Sequence, residues 1–509
     1  MRISGAVVGL VASLVQIHVR VTWAQIYQMQ DVAVPSNRSL HTLYAFYIFS
    51  HEEAPERSLG NPFVKFHDLR MNGGALLKDY QGVQLSIMKY TDFWNLISPH
   101  KFCCTYDDAQ KGACNAKDQL LVQKPPGTSY IDVDVYSYTV TAANVKDMKI
   151  PVRRTGVYIL VFSNCGDFSD ATVGGSVIVK NAYGFLPGNE YHKMPFYGWL
   201  LLTYVFLAVC WMVLSLRWWK EMFNIQNCIS AVIFFGLVEA FLWYVFFNDW
   251  NNSGVRGKAL FILSILSSVV KSIFSYMLVL VAALGWGVTR PYLDRQVIMK
   301  IQAVCFLYIV LDFIRESVLS FRHSHSLSLA FVLLCLLPVS LLNGGIFYWV
   351  FTALSSLMET LRDRRQFEKL ALFQRLWKIL IFALAVATAT LLFQIFNLSR
   401  SITTRWKYQW LFADGVSHVL FLVVLAAMMY LWAPHKYSQR YAYSQQIDND
   451  EKEMQAPEGA QDVWAEEGGL DEEGDDGESF WATTRDSAGH DAGKAPADVI
   501  GAEGSAEKI

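Results

Sequence analysis

Charged side chains stand inside long apolar segments of this sequence, where burial in lipid makes each of them costly. Glu239 and Lys271 lie midway along two consecutive segments. A helical rise of ~1.5 Å per residue puts them at a similar depth in a bilayer. Asp414 and His418 lie one helical turn apart in the last segment. These groups can pair and fix helix packing, or they can line a hydrated cavity that serves an ion or a ligand.

A second charged set, Asp312, Arg315 and Glu316, lies near the end of the fourth apolar segment. Spacings of three and four residues place Asp312 alongside both of the others on a helix. We therefore expect part of this set to pair locally. Together with the first set, it forms the candidate intramembrane polar site.

Signatures of catalysis are missing from the sequence. It contains no phosphate-binding loop, no HExxH helix and no paired CxxC with zinc spacing. A GxSxG nucleophile elbow is also missing. His323 and His325 lie two residues apart in a short loop, which we interpret as solvated rather than as a metal site. We expect no enzymatic activity, no metal and no cofactor.

The elements that carry the charged sets are predicted to be membrane spans. The 509 residues are 53% hydrophobic and only 17% charged, with a mean hydropathy of +0.25, whereas soluble proteins carry about 25% charged residues. A span needs ~20 apolar residues and must pair its backbone groups internally, so each span is a helix. Seven such segments are predicted, at 195–216, 228–247, 259–284, 297–318, 326–351, 376–396 and 409–432.

The start of the chain predicts entry into the secretory pathway. Its apolar run is too short to cross a bilayer comfortably, so we interpret residues 1–24 as a signal peptide. Basic residues then concentrate in alternate loops, among them Arg362, Arg364 and Arg365. Because cytosolic loops carry the excess of Lys and Arg, we expect a lumenal N-terminus and a cytosolic C-terminus. A glycosylation sequon at Asn37 fits this topology.

Residues 25–194 contain no membrane-length apolar run. They show short β-branched and aromatic segments between turn formers instead, which predicts an antiparallel β-sandwich in the lumen. Two disulfides are expected among Cys103, Cys104, Cys114 and Cys165. A bond between the vicinal Cys103 and Cys104 would close a strained ring, which leaves two pairings open.

The end of the chain, residues 433–509, is rich in Asp, Glu, Gly and Ala. Between residues 448 and 509 there are 19 acidic and 4 basic residues. Such a segment cannot bury enough apolar surface to fold alone, so we interpret it as a disordered acidic tail in the cytosol. The chain is thus predicted to be an α+β membrane protein, with a seven-helix bundle at 195–432 between the sandwich and the tail.

Two familiar classes of seven-helix receptor are disfavoured by the sequence. A retinal-binding opsin needs a lysine in its last helix, and the segment 409–432 contains none. The acidic-Arg-Tyr and Asn-Pro-x-x-Tyr signatures of rhodopsin-like G-protein receptors are also missing. Seven helices alone do not identify a function.

Motifs that resemble the GOST family recur in order along residues 150–445. These proteins combine a Golgi-dynamics domain with seven transmembrane helices and are also called lung seven-transmembrane receptors. Trp286 stands where the family more usually has Tyr. The matching motifs are NAYGFLP at 181–187, MPFYG at 194–198, GLVE at 236–239, LGWGVTRP at 284–291, LRDRR at 361–365, Asp414 to His418, LWAP at 431–434 and RYA at 440–442.

The segment 155–165, which ends at Cys165, is similar to the Gly-x-Tyr strand of GOLD-type sandwiches in early secretory cargo receptors. The GOST resemblance implies a Golgi or endosomal membrane protein associated with trafficking. Some family members have been proposed as receptors and some as cation channels. The resemblance also implies a lateral cavity in the helical body, and it carries no catalytic residues.

Three functions follow as expectations. The first is Golgi trafficking, in which the sandwich recognises lumenal cargo or a membrane-attached partner and the acidic tail engages cytosolic sorting machinery. The runner-up is a cation channel or a lipid-binding membrane core that uses the intramembrane polar site. A ligand-activated signalling receptor is third. Membrane lipid is an expected partner, and nucleic acid is not, because no basic patch is interleaved with exposed aromatics.

Overall fold

The computed structural model of the chain describes residues 26–34, 39–57, 59–73, 83–98, 101–123, 135–140, 147–166, 171–222, 224–286, 289, 294–322, 329–398 and 402–434. All of them belong to the first of two compact units, Met1–Ile447. The predicted signal peptide, the sequon at Asn37 and the tail from residue 435 onward lie outside the described residues.

Within the described residues, eight strands form two four-stranded sheets in which every pairing is antiparallel. The strands are β1 (Ile26–Ala33), β2 (Ser39–Ile48), β3 (Phe63–Gly73), β4 (Val83–Lys89), β5 (Tyr136–Val140), β6 (Met148–Pro151), β7 (Gly156–Asn164) and β8 (Ala171–Lys180). One sheet has the order β1-β8-β3-β6 and the other β2-β7-β4-β5. The predicted antiparallel sheets are confirmed.

The two sheets pack face to face around a common core. In β3, Val64 and Phe66 are buried between the sheets, while Lys65 and His67 point to the outer face, as a period of two requires. In contrast, β7 is buried almost throughout. A short helix, α1 (Tyr90–Leu96), covers the outer face of β7 and gives that face its own small core.

Two disulfides staple the sandwich, between Cys103 and Cys165 and between Cys104 and Cys114. The first joins the segment after α1 to the end of β7, and the second closes a small loop around α2 (Tyr106–Gln110). Of the two pairings left open by the sequence, the structure adopts this one.

Helices make up most of the described chain from residue 193 onward. In that part, six helices are long and apolar enough to cross a membrane. They are α3 (Lys193–Arg217), α4 (Asn224–Ser253), α5 (Lys258–Ala283), α6 (Arg295–Arg322), α7 (Leu329–Asp363) and α8 (Phe367–Leu398). The seventh predicted span is divided. It comprises the end of α9 (Ile402–Trp410), a π-helical stretch (Leu411–Gly415) and the shorter apolar helix α10 (Val416–Leu431).

One continuous apolar core joins the sandwich to the helices. Phe49 at the end of β2 packs on Trp406 of α9, with ring centroids 4.9 Å apart. The connector between β8 and α3 comprises residues 181–192. Its Tyr183 and Leu186 belong to the same buried cluster as Trp250 of α4. The sandwich therefore rests directly on the helical body.

Candidate functional site

A buried ion pair links α4 to α5 inside the apolar body. The Lys271 ammonium lies 2.7 Å from Oε2 of Glu239, and the two side chains are only 7% and 3% exposed. Both residues stand midway along helices that pack on each other over most of their length. In such surroundings an uncompensated charge is far more costly than a paired one, so each residue depends on the other. The expected similar depth of Glu239 and Lys271 is thus realised as direct contact.

His418 of α10 extends the pair to a third helix, and Tyr197 of α3 to a fourth. Nζ of Lys271 lies 3.4 Å from Nδ1 of His418, and Nε2 of His418 lies 3.2 Å from the Tyr197 hydroxyl. A lysine ammonium can only donate, so Nδ1 is the acceptor. In a neutral imidazole the proton then sits on Nε2, which donates to Tyr197.

Aromatic rings enclose this polar cluster. The Lys271 ammonium also lies 4.4 Å from the ring centroid of Phe421, a favourable cation–π distance. Tyr197 stacks on Trp243, whose indole N–H donates to the Ser268 hydroxyl at 2.9 Å. These rings keep solvent from the ion pair. The arrangement can hold one helix packing in place, and it can also offer charged groups to a ligand that displaces Lys271.

Tyr204 of α3 is a neighbour that sequence reasoning missed. Its side chain is fully buried, and its ring occupies the space beside Gly236, one helical turn before Glu239. Among the described residues, no hydrogen-bond partner reaches its hydroxyl. The glycine of the GLVE motif is the sequence signal, because only a residue without a side chain leaves room for this ring.

Asp414 belongs to a different group from His418, although the two are one turn apart. Its carboxylate lies 2.7 Å from the ammonium of Lys193, which also contacts Glu190 at 2.8 Å. Asp414 stands in the π-helical stretch, and Lys193 is the first residue of α3. This group sits where the sandwich meets the bundle. Lys193 was missed because it lies outside the apolar segment predicted from the sequence.

The second charged set is also separate. Arg315 lies 2.8 Å from the Asp312 carboxylate, within α6 and at the spacing expected for a local pair. The Glu316 side chain lies outside the described residues. The structure thus distributes the predicted polar site over three groups, of which the cluster of Glu239, Lys271 and His418 spans the most helices.

A second candidate region is the junction between the sandwich and the bundle. Asn251, near the end of α4, donates from Nδ2 to the Tyr183 carbonyl at 2.9 Å and accepts from the Leu186 N–H at 3.1 Å. Asn181 makes the matching contacts on the sandwich side, where Oδ1 accepts from the Phe49 N–H at 3.1 Å and Nδ2 donates to the Leu186 carbonyl at 3.0 Å. The connector is therefore held from both sides.

An ion pair closes the same junction at its edge. Lys407 of α9 lies 2.8 Å from the Glu53 carboxylate of the sandwich. This contact and its hydrogen bond lower the pKa of Glu53. Burial and the nearby Lys407 charge lower the pKa of His192, just before α3, so this imidazole tends to stay neutral. The junction combines apolar packing, amide hydrogen bonds and salt bridges.

Comparison with known proteins identifies the helical body. Residues 192–439 match the family model described as GOST, seven transmembrane domain. The chain is 30% identical to Transmembrane protein 87A of Xenopus tropicalis over 319 residues, which cover 61% of this chain and 58% of the relative. It is 27% identical to Transmembrane protein 87B of Mus musculus, with 61% and 55% covered. Membrane protein PTM1 of Saccharomyces cerevisiae is 25% identical, with 77% and 78% covered.

The match spans little more than half the length of the Transmembrane protein 87 relatives. The motifs that predicted the resemblance fall largely within the region that the family model matches. The resemblance inferred from the sequence is confirmed for the helical body, which matches the seven-transmembrane domain of the GOST family.

Proposed function

We propose that this protein acts in membrane trafficking between the Golgi and endosomes. The sandwich, on the lumenal side, recognises cargo or a membrane-attached partner, and the cytosolic tail engages sorting machinery. The match of the helical body to the GOST family supports this role. The main structural support for this proposal is the direct packing of the sandwich on the helical body, which we call its mounting.

The mounting matters because recognition on one side of a membrane must be transmitted to the other. A sandwich on a flexible linker could bind a partner without changing the spans. Here Asn181 and Asn251 hold the connector between them, and Trp406 packs against Phe49. A partner bound to the sandwich would therefore act on the packing of α4 and α9 directly.

Complementation in cells tests this proposal. Cells that lack the protein receive the full chain, a chain without residues 26–180, or a chain without residues 448–509. The surface and secreted glycoproteins are then compared by quantitative mass spectrometry. We expect the full chain to restore normal sorting and each truncation to fail, provided that both truncated chains reach the membrane in normal amounts. Normal sorting with both truncations would overturn the proposal.

A second candidate function rests on the intramembrane cluster. Glu239, Lys271 and His418 place ionisable groups from three helices deep in the apolar body, where such residues often serve ions or ligands. On this proposal the helical body is a cation channel or a lipid-binding core. The cluster would open when a cation or a lipid headgroup replaces one internal partner.

Recordings from purified protein in proteoliposomes test the second candidate. Glu239→Gln and Asp414→Asn should change the conductance, whereas Glu359→Gln, at an exposed position on α7, should leave it unchanged. If no current is recorded, lipid retained through purification is measured by native mass spectrometry. The absence of both current and retained lipid would contradict this candidate.

A further inference from the structure

The outer face of the sheet β1-β8-β3-β6 carries a column of basic side chains. We define the basic face by Lys65 and His67 of β3, Lys149 of β6 and Lys180 of β8. All four alternate with residues that point into the core, so they emerge on the same outer side of the sheet. Their strands are direct neighbours.

The strand register brings like charges together on this face. Lys65 of β3 pairs directly with Lys149 of β6. Two residues earlier in β3, Phe63 pairs with Lys180 of β8. Like charges in directly opposed positions of an antiparallel pair are destabilising. The sheet thus holds an arrangement that is unfavourable for the isolated protein and favourable once an anion lies across it.

Each ammonium is only partly compensated within the sandwich. Lys149 lies 4.1 Å from the ring centroid of Phe63, and Lys180 lies 5.3 Å from that of Phe185. Asp147 is the carboxylate that bonds to the face, at 2.7 Å from Lys65 and 2.9 Å from His67. The hydrogen bonds from Lys65 and His67 lower the pKa of Asp147 to about 2. Among the described residues, no carboxylate bonds to Lys149 or Lys180, so both ammonium groups can meet an outside anion.

Apolar side chains lie between the cations. Phe63 and Ile178 are half-buried on the same outer side, and Ile178 pairs directly with Lys65. The face therefore suits an acidic chain that presents both acidic and apolar side chains on one of its sides. The basic face begins at Lys180, immediately before the connector to α3. Along β3 it extends from Phe63 to His67, which is roughly 14 Å at the ~3.4 Å rise per residue of a strand.

We propose that the basic face binds an acidic polypeptide segment of a partner protein on the sandwich's side of the membrane. This inference rests on the proposed recognition role of the sandwich and names the chemistry of its partner. The lysines supply the attraction, Phe63 and Ile178 supply apolar contact, and Asp147 weakens binding by its negative charge.

The test uses the full chain in detergent and a fluorescent peptide of repeating Glu-Glu-Val-Val, which presents both residue types on each side when extended, with a Gln-Gln-Val-Val peptide as the uncharged control. Fluorescence anisotropy measures the affinity at low and high salt. We expect Lys149→Ala with Lys180→Ala to lower the affinity about tenfold, which corresponds to about 1.4 kcal/mol. Asp147→Asn should raise it, and high salt should weaken binding. Lys111→Ala, in an exposed position just after α2, should have no effect.

Three outcomes would overturn the proposal. In the first, the acidic peptide does not bind, or binds equally well to the double lysine variant. In the second, heparin binds through these lysines and the peptide does not, which would assign the face to sulfated glycans. In the third, only phosphatidylserine vesicles bind through them, which would assign the face to the membrane. Because glycoprotein sorting in cells is a separate readout, failure here would leave the trafficking proposal standing.

Discussion

Asn251 of α4 occupies the space that a side chain at position 184 would need. A Cβ atom added at Gly184 would come within 2.6 Å of the Asn251 amide carbon, and Gly184 also has a φ of +141°. The Asn251 amide cannot move aside cheaply, because it bonds to the connector backbone at both its oxygen and its nitrogen. The connector and α4 are therefore interlocked, and this interlock mounts the sandwich on the bundle.

Gly184→Ala should destabilise the protein by about 2 kcal/mol or more, because backbone strain and overlap with Asn251 add together. Gly60→Ala is a matched control, since Gly60 has a φ of +90° but open space around it. Thermal unfolding in detergent compares the two variants. Equal losses of stability would show that backbone strain alone matters and that the interlock contributes nothing.

Asn251→Ala should loosen the junction without altering the sheets. It leaves the Leu186 N–H and the Tyr183 carbonyl buried without their partner, at a cost of about 1–3 kcal/mol for each group. Hydrogen exchange should rise in the connector after β8 and at the end of α4. It should stay unchanged in the buried strand β7. A uniform rise over the whole sandwich would mean that Asn251 supports the fold rather than the mounting.

Strands and membrane spans could be predicted from the sequence wherever a local pattern of residue types determines them. Alternating residues such as Val64 and Lys65 indicate a half-buried strand, and unbroken apolar runs indicate spans. The contact between Glu239 and Lys271 was one of two alternatives, because equal depth follows from helical rise alone. Which helices are neighbours does not follow from depth, so the sequence could not choose between a pair and a cavity.

Other features depend on contacts far apart in the chain. Lys193 meets Asp414 across more than two hundred residues, and no local pattern marks that pair. The division of the seventh span was also hidden, since no local residue pattern in Leu411–Gly415 distinguishes a π-helical stretch from an α-helix. The disulfide pairing needed the fold as well, because Cys103 and Cys104 are adjacent and only tertiary structure decides which of them faces Cys165.

The ion pair between Glu239 and Lys271 should show strong coupling in a double-mutant cycle. Lys271→Met leaves a buried carboxylate without its counter-charge, which should cost about 3–5 kcal/mol. The double variant Glu239→Leu with Lys271→Met removes both charges and should recover most of that loss. The free energy of unfolding in sodium dodecyl sulfate is measured for wild type, for the single variants Glu239→Leu and Lys271→Met, and for the double variant. Additive effects would show that the two charges do not depend on each other.

Asp147 should make the edge of the basic face sensitive to acid only at very low pH. Its folded pKa, about 2, lies below the ordinary 3.8. Its contribution to stability is therefore fully present above about pH 3.8 and is lost as the pH falls through about 2. Hydrogen exchange in β3 and β6, corrected for the intrinsic rate, should respond to Asp147→Asn at pH 6. Wild type should show no change attributable to this group between pH 5 and 7.

Lys65→Ala provides the companion control, because it removes the hydrogen bond that contributes most to the lowered pKa of Asp147. The Asp147 pKa should then rise toward its ordinary value, as followed by NMR of the side-chain carboxyl carbon. An unchanged pKa of Asp147 would show that the ion pair between Lys65 and Asp147 is absent in solution.

The central claim is that this protein recognises a partner through its mounted sandwich and works in trafficking. Proximity labelling in cells, from an enzyme fused to the tail and from one fused ahead of the sandwich, tests it most directly. We predict coat or sorting subunits near the tail and secretory cargo near the sandwich, with the cargo signal reduced by Gly184→Ala. Neighbours without cargo or sorting proteins, together with a stoichiometric bound lipid that is lost in Glu239→Gln, would contradict the claim and favour the membrane core as the functional centre.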